Sequence, residues 1–157
     1  MTFDEQGNLY PYQLIDMNWA TFEKKFVTDF PNSQTRQPLW SHYKQFADEL
    51  KHLVKGAFYQ WIDGSFLTQK NNPMDIDVVI FVDYLVFHQQ KLLFTDTLSL
   101  KAEKGLDVYF VLEYPIEHPL YFVTELDKAQ WLSVFGYSKR TVDNKIHRKG
   151  IVELQME

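Results

Sequence analysis

At 157 residues, with 45% hydrophobic and 17% aromatic content, the chain suits one domain that buries roughly two-thirds of its unfolded surface, and charged residues at 24% argue against disorder. The absence of cysteine excludes disulfides and thiolate metal sites, leaving carboxylates and five histidines as candidate ligands. A net charge of −5 gives no overall attraction to nucleic acid or anionic membrane, no stretch has the apolar length of a membrane span, and Asp4 and Glu5 stand where a signal peptide would be basic, so a cytoplasmic protein is expected.

Gly7-Asn8 predicts a turn that leads into an extended arm. Asn18 is placed to cap a short helix over about 19–27, where Trp19, Phe22 and Phe26 recur at helical spacing, and Phe30-Pro31-Asn32-Ser33 breaks it. The clearest helix spans about 38–55. Its Leu39, Trp40, Tyr43, Phe46, Ala47, Leu50, Leu53 and Val54 keep the amphipathic period, and Gly56 stands as the stop. Residues 58–62 read as a strand ending in the turn Asp63-Gly64-Ser65, and 66–70 as a helical turn closed by Asn71-Asn72-Pro73.

The near-continuous apolar run at 76–82 reads as a strand buried on both faces. A helix over 84–94 and a third strand over 106–112 follow. Thr124 is expected to cap a last helix running to Phe135, with Gly136 at its end. After a basic loop, a short strand is expected at 151–154. Strands of a core sheet alternating with helices give an α/β or α+β fold in a single domain over 1–157. Its core would be about 38–135, with an N-terminal arm, 1–37, and a C-terminal basic loop and strand, 136–157.

The chemistry concentrates on three aspartates. On a strand, Asp75 and Asp77 project to one side, about 6–7 Å apart, while Ile76 and Val78 project to the other. Asp107, opening a neighbouring strand, completes a set able to share divalent cations. Phosphoryl and nucleotidyl transfer ask a protein to hold a triphosphate, neutralise developing charge and align a hydroxyl; hard cations on carboxylate oxygens do the charge work. Without metal, the clustered carboxylates would raise one another's pKa.

Gly64 permits a tight turn and close backbone approach, and Ser65 would offer a hydroxyl and an N–H to an anion at the start of a short helix. Lys70, about a turn and a half further on, is within reach of a phosphate tail, although its ordinary reading is a surface lysine. Asp63 reads as a turn-former. Lys139, Arg140, Lys145, Arg148 and Lys149 form a solvated basic loop by default, and a flap over a triphosphate or an acidic partner as the functional reading. His42, His52, His88, His118 and His147 lack metal-ligand spacing and are expected on the surface or in packing. Trp61 and Tyr109, on the motif strands, are expected to pack.

The order Gly64-Ser65, nine residues, Asp75-x-Asp77, then a distal strand Asp107, resembles the polymerase-beta-like nucleotidyltransferase superfamily in its minimal form. The Gly-Asn-Leu start, the block from Asp63 to Val82 and the Lys-Gly-Ile-Val ending extend the likeness over most of the chain. The resemblance implies a mixed-sheet core flanked by helices, two Mg²⁺ ions and a nucleoside triphosphate. It casts Gly64 and Ser65 as the phosphate-turn pair, Asp75 and Asp77 as the metal-binding pair and Asp107 as the third carboxylate. The expected activity is transfer of a nucleoside monophosphate from an NTP, ATP first, to a hydroxyl on a protein or RNA acceptor. The alternative is a non-catalytic or nucleotide-sensing interaction protein, such as an antitoxin-like partner in a toxin–antitoxin or defence module, docking through its aromatic-rich arm from Leu9 to Trp19.

Overall fold

In the computed structural model, which describes residues 1–54, 58–89, 97–140 and 144–156, local sequence signals set most elements. Gly7, at φ +79°, turns the chain between β1 (Thr2–Phe3) and β2 (Leu9–Tyr10), which pair antiparallel. β3 (Leu14–Met17) leads into α1 (Trp19–Glu23). Asn18 caps α1 as expected, its side chain accepting from the Thr21 N–H at 2.8 Å. The helix then loosens into a π-helical turn, Lys24–Thr28. α2 (Arg36–Val54) begins two residues before Pro38; proline is tolerated there because the first-turn N–H groups have no intrahelical acceptor.

β4 (Phe58–Asp63) ends at Gly64 and a 3₁₀ turn, Ser65–Leu67. β5 (Ile76–Asp83) runs into α3 (Tyr84–Gln89). α4 (Thr97–Lys104), which the sequence reading did not anticipate, hands over through Gly105 to β6 (Leu106–Glu113). α5 (Tyr121–Phe135) and β7 (Ile151–Met156) complete the chain. Gly56 and the expected helical residues 90–94 lie outside the described residues.

The main sheet has the order β3-β7-β4-β5-β6. The outer pairs β3/β7 and β5/β6 are parallel, and β4 lies antiparallel to both β7 and β5. The fold is therefore α+β, with a mixed sheet. The arm and the C-terminal strand are part of it: β3 is an edge, β7 is interior, and Leu9 and Met17 are buried. Trp19 Nε1 also donates to the Gln155 carbonyl at 3.0 Å.

Alternation sorts the side chains of β5 and β6 between two cores. Ile76, Val78, Ile80, Val82, Leu106 and Val108 join the larger core beneath α1 and α2. Val79, Phe81 and Val111 join the smaller one beneath Phe135 and Trp131 of α5. Asp77 and Asp107 share the parity of the second set, so the register places both on the α5 side.

Two expectations at α5 are corrected. Thr124 is not its cap. The helix starts three residues earlier with no side-chain cap at Leu120, and the buried Thr124 hydroxyl donates to the Leu112 carbonyl at 2.8 Å while accepting from the Tyr114 N–H at 3.0 Å. It fastens the helix to the end of β6. Gly136 does end α5, but at an ordinary φ of −68°; glycine is required because a Cβ would lie 2.7 Å from the Leu132 carbonyl oxygen.

Arg36 is fully buried, with no carboxylate among its recorded partners. Its Nη1 donates to the carbonyls of Phe26 and Phe66, both at 2.7 Å, and its Nη2 to those of Thr68 at 2.8 Å and Lys70 at 2.6 Å. The guanidinium also lies 3.7 Å from the Phe30 ring centroid. Burial pushes its pKa down to about 10, which leaves it charged at neutral pH. One planar fork thereby joins the π-helical turn to the segment that follows Gly64-Ser65. Replacing Arg36 by Met should cost at least about 3 kcal/mol in urea unfolding, because the buried carbonyls of Phe26 and Phe66 and the part-buried ones of Thr68 and Lys70 lose a charged donor; Arg36→Lys should recover little, since one ammonium cannot reproduce the fork.

Candidate metal centre

Strand register draws the acidic groups into a lateral row. Asp63 of β4 stands opposite Asp77 of β5, and Asp77 opposite Asp107 of β6. Asp75 immediately precedes β5. One oxygen from each of Asp75, Asp77 and Asp107 lies within 4.8 Å of the others, and all three side chains are partly buried. The expected carboxylates are thus brought together, and the donor set of hard, anionic oxygens fits a divalent cation such as Mg²⁺. Burial raises the Asp77 pKa, with Asp75 and Asp107 adding to the rise.

Gly64 adopts φ +80°, and a Cβ there would run into the Asp77 carboxylate. Glycine alone lets this turn lie against the acidic row. Ser65 opens a three-residue 3₁₀ turn, too short to present a helix dipole, and lines the cleft; its carbonyl accepts from the Thr68 N–H at 3.2 Å and the Thr68 hydroxyl at 2.8 Å.

Two lysines bracket the row, and neither was singled out in its own right from the sequence. At one end Lys149, just ahead of β7, pairs with Asp63 at 2.6 Å, with side-chain exposures of 10% and 4%. Asp63 is therefore the buried half of an ion pair and not simply a turn-former. Burial pushes its pKa up to about 7 against the opposing pull of Lys149. At the other end Lys101 of α4 is bonded to Asp107 Oδ2 and stands 3.9 Å from Asp75 Oδ2. The bond to Asp107 raises the lysine's pKa.

These groups line a cleft of about 940 Å³ that also contains Gly64, Ser65 and Lys70. Lys70 is exposed there, and its main-chain carbonyl is one of the Arg36 acceptors. Of the basic segment, Lys139 and Lys149 reach the cleft, whereas Arg140 bonds Asn144 and Arg148 lies over the Tyr12 ring. Phe135, Tyr137 and Ile146 give the same cleft an apolar wall. Trp61 is buried and donates to Glu153 at 2.7 Å, packing as expected, whereas Tyr109, against Trp131 at 4.6 Å between ring centroids, is 39% exposed and its hydroxyl bonds Asp107.

An α+β chain with an acidic row at one end of a mixed sheet is the class that fold and site define. Residues 1–155 match a family of unknown function, DUF6932, and the chain belongs to that family. Neither a curated protein nor a solved structure matches it. No helix among the described residues is long and apolar enough to cross a membrane.

The Asp63–Lys149 pair makes a pH-dependent prediction. The folded carboxyl's pKa of about 7 exceeds its ordinary value of 3.8, so the folded chain binds the extra proton between these values. Stability from that proton is complete below about pH 4 and disappears as pH rises through about 7. In Lys149→Met the ionised carboxylate has no counter-charge. Urea melts should show a loss of about 3–5 kcal/mol at pH 8, and a clearly smaller loss at pH 5, where Asp63 takes up a proton.

Proposed function

We propose that this protein is a magnesium-dependent nucleotidyltransferase that moves a nucleoside monophosphate from an NTP, ATP first, to a hydroxyl on a protein or RNA acceptor. The convergence of Asp75, Asp77 and Asp107 within 4.8 Å, beside a turn that only glycine can make, carries the reading. The spacing Gly64-Ser65, nine residues, Asp75-x-Asp77, with its resemblance to polymerase-beta-like nucleotidyltransferases, supports it from the sequence. So does a cleft whose acidic floor is flanked by lysines and an apolar wall, which suits a metal-bound triphosphate carrying a base.

Asp75, Asp77 and Asp107 would hold two Mg²⁺ ions. Bound there, the metal would supply charge neutralisation on the triphosphate and acidify the acceptor hydroxyl. The Gly64 turn sets its backbone against the Asp77 carboxylate, and Lys70 and Lys139 on the cleft walls offer positive charge to the departing pyrophosphate. The acceptor oxygen bonds the α-phosphorus, the bond from that phosphorus to the bridging oxygen breaks, and pyrophosphate leaves. Asp107, at the outer end of the row, takes the hydroxyl proton.

A second reading, a nucleotide-sensing partner such as an antitoxin-like protein, draws on α5. Phe122, Leu126 and Val134 are 57%, 63% and 55% exposed on that helix. In the aromatic arm Leu9 and Met17 are buried while Tyr10 is 51% exposed.

Incubation with labelled ATP, Mg²⁺ and candidate acceptors should give Mg²⁺-dependent label transfer, reduced at least about a hundredfold in Asp77→Asn. Calorimetry separates the readings. Mg²⁺–ATP binding abolished in Asp75→Asn/Asp77→Asn without any transfer would favour nucleotide sensing. Equal heats for wild type and double variant, again without transfer, would count against both.

A further inference from the structure

The two lysines that bracket the acidic row differ in a way that assigns them different roles. Lys149 and Asp63 are both almost sealed from solvent. That pair balances the one carboxylate of the row outside the metal-competent trio. Lys101 is 48% exposed, and its ammonium lies against two members of that trio, Asp107 and Asp75. It stands where a cation is wanted, with an open path out.

The backbone beneath Lys101 is tied down at several points. Gly105 donates its N–H to the Lys101 carbonyl at 3.1 Å and accepts from the Ile76 N–H at 2.9 Å, so one residue closes α4 and docks it on the strand that carries Asp77. At φ +67°, Gly105 is packed so closely that a Cβ would stand 2.5 Å from Leu39 Cδ2. His42 Nδ1 meets the Lys104 carbonyl at 3.0 Å, tying α4 to α2 as well. Any departure of the ammonium is therefore a change of side-chain rotamer over a fixed helix.

We propose that Lys101 is a built-in counter-cation: in the metal-free chain its ammonium neutralises Asp75 and Asp107, and a divalent ion must displace it to bind there. This rests on the metal-binding reading of the trio given above. Three carboxylates that converge so closely repel one another, and a single ammonium relieves part of that repulsion before metal arrives. The same ammonium competes for the oxygens a metal needs, so Lys101 sets how much divalent ion the site requires. Once displaced it remains in the cleft, where an incoming polyphosphate offers it a new anion. Metal and nucleotide binding are thereby coupled through one side chain.

Mn²⁺ alone is the first probe, with affinity read from the free-ion electron paramagnetic resonance signal. Lys101→Met should bind Mn²⁺ about tenfold more tightly than wild type, whereas Lys104→Met, which alters another lysine of α4 that does not line the cleft, should change affinity less than about twofold. The second probe uses wild type only. Acetylation of Lys101 by a water-soluble amine reagent, followed by peptide mass spectrometry, should accelerate as Mn²⁺ saturates the site, while Lys149 stays unreactive. Equal or weaker binding by Lys101→Met, or Lys101 reactivity indifferent to bound Mn²⁺, overturns the counter-cation and leaves the metal site standing. No Mn²⁺ binding by either wild type or Lys101→Met overturns the metal site and the counter-cation together.

Discussion

The row of carboxylates across β4, β5 and β6 is the constraint around which the rest is arranged. Register alone puts Asp63, Asp77 and Asp107 side by side, with Asp75 two residues before Asp77. Such a concentration of like charge at the edge of an apolar sheet is unfavourable unless cations answer it. The chain provides one at either end. Lys149 arrives from the segment before β7 and Lys101 from α4, so the termini of two otherwise unrelated connections are fixed by the electrostatics of a single line of side chains.

Holding that line requires a turn that cannot drift, and Arg36 supplies the restraint. Its four carbonyl acceptors lie in the π-helical turn and in the stretch just beyond Gly64-Ser65. Distant segments are locked together with no carboxylate partner among the described residues, the delocalised guanidinium being better suited to several neutral acceptors than an ammonium would be. The Gly64 backbone is thereby pressed against Asp77, and Gly105 presses the end of α4 against Leu39 and β5. Two glycines at positive φ, on opposite sides of Asp77, set how narrow the site is.

What could be read in the sequence, and what could not, follows the range of the interactions. Asp75, Asp77 and Asp107 stood out because strand alternation has a short period and an acid in an apolar run is conspicuous. Asn18 was legible as a cap because capping is local. Asp63 was hidden because Asp-Gly is also ordinary turn code, and its partner lies 86 positions away, from 63 to 149. Lys101 was hidden with its helix, because Leu98-Ser99-Leu100 alternates with period two. Arg36 left no charge-pair signal, since its partners are main-chain carbonyls. Thr124 had the right residue type for a cap, but its hydroxyl is used sideways, toward β6.

β5 and β6 also act as a partition. Their even-numbered side chains point into the packing of α1 and α2, and their odd-numbered ones toward α5 and the acidic groups. Neighbouring positions along one strand thus answer to different demands, one to the integrity of the interior and the next to chemistry. Divergent relatives could retune what enters the cleft by drifting at every second residue while the opposite layer stayed unchanged, a separation of evolutionary pressures built from nothing more than the pleat of a strand.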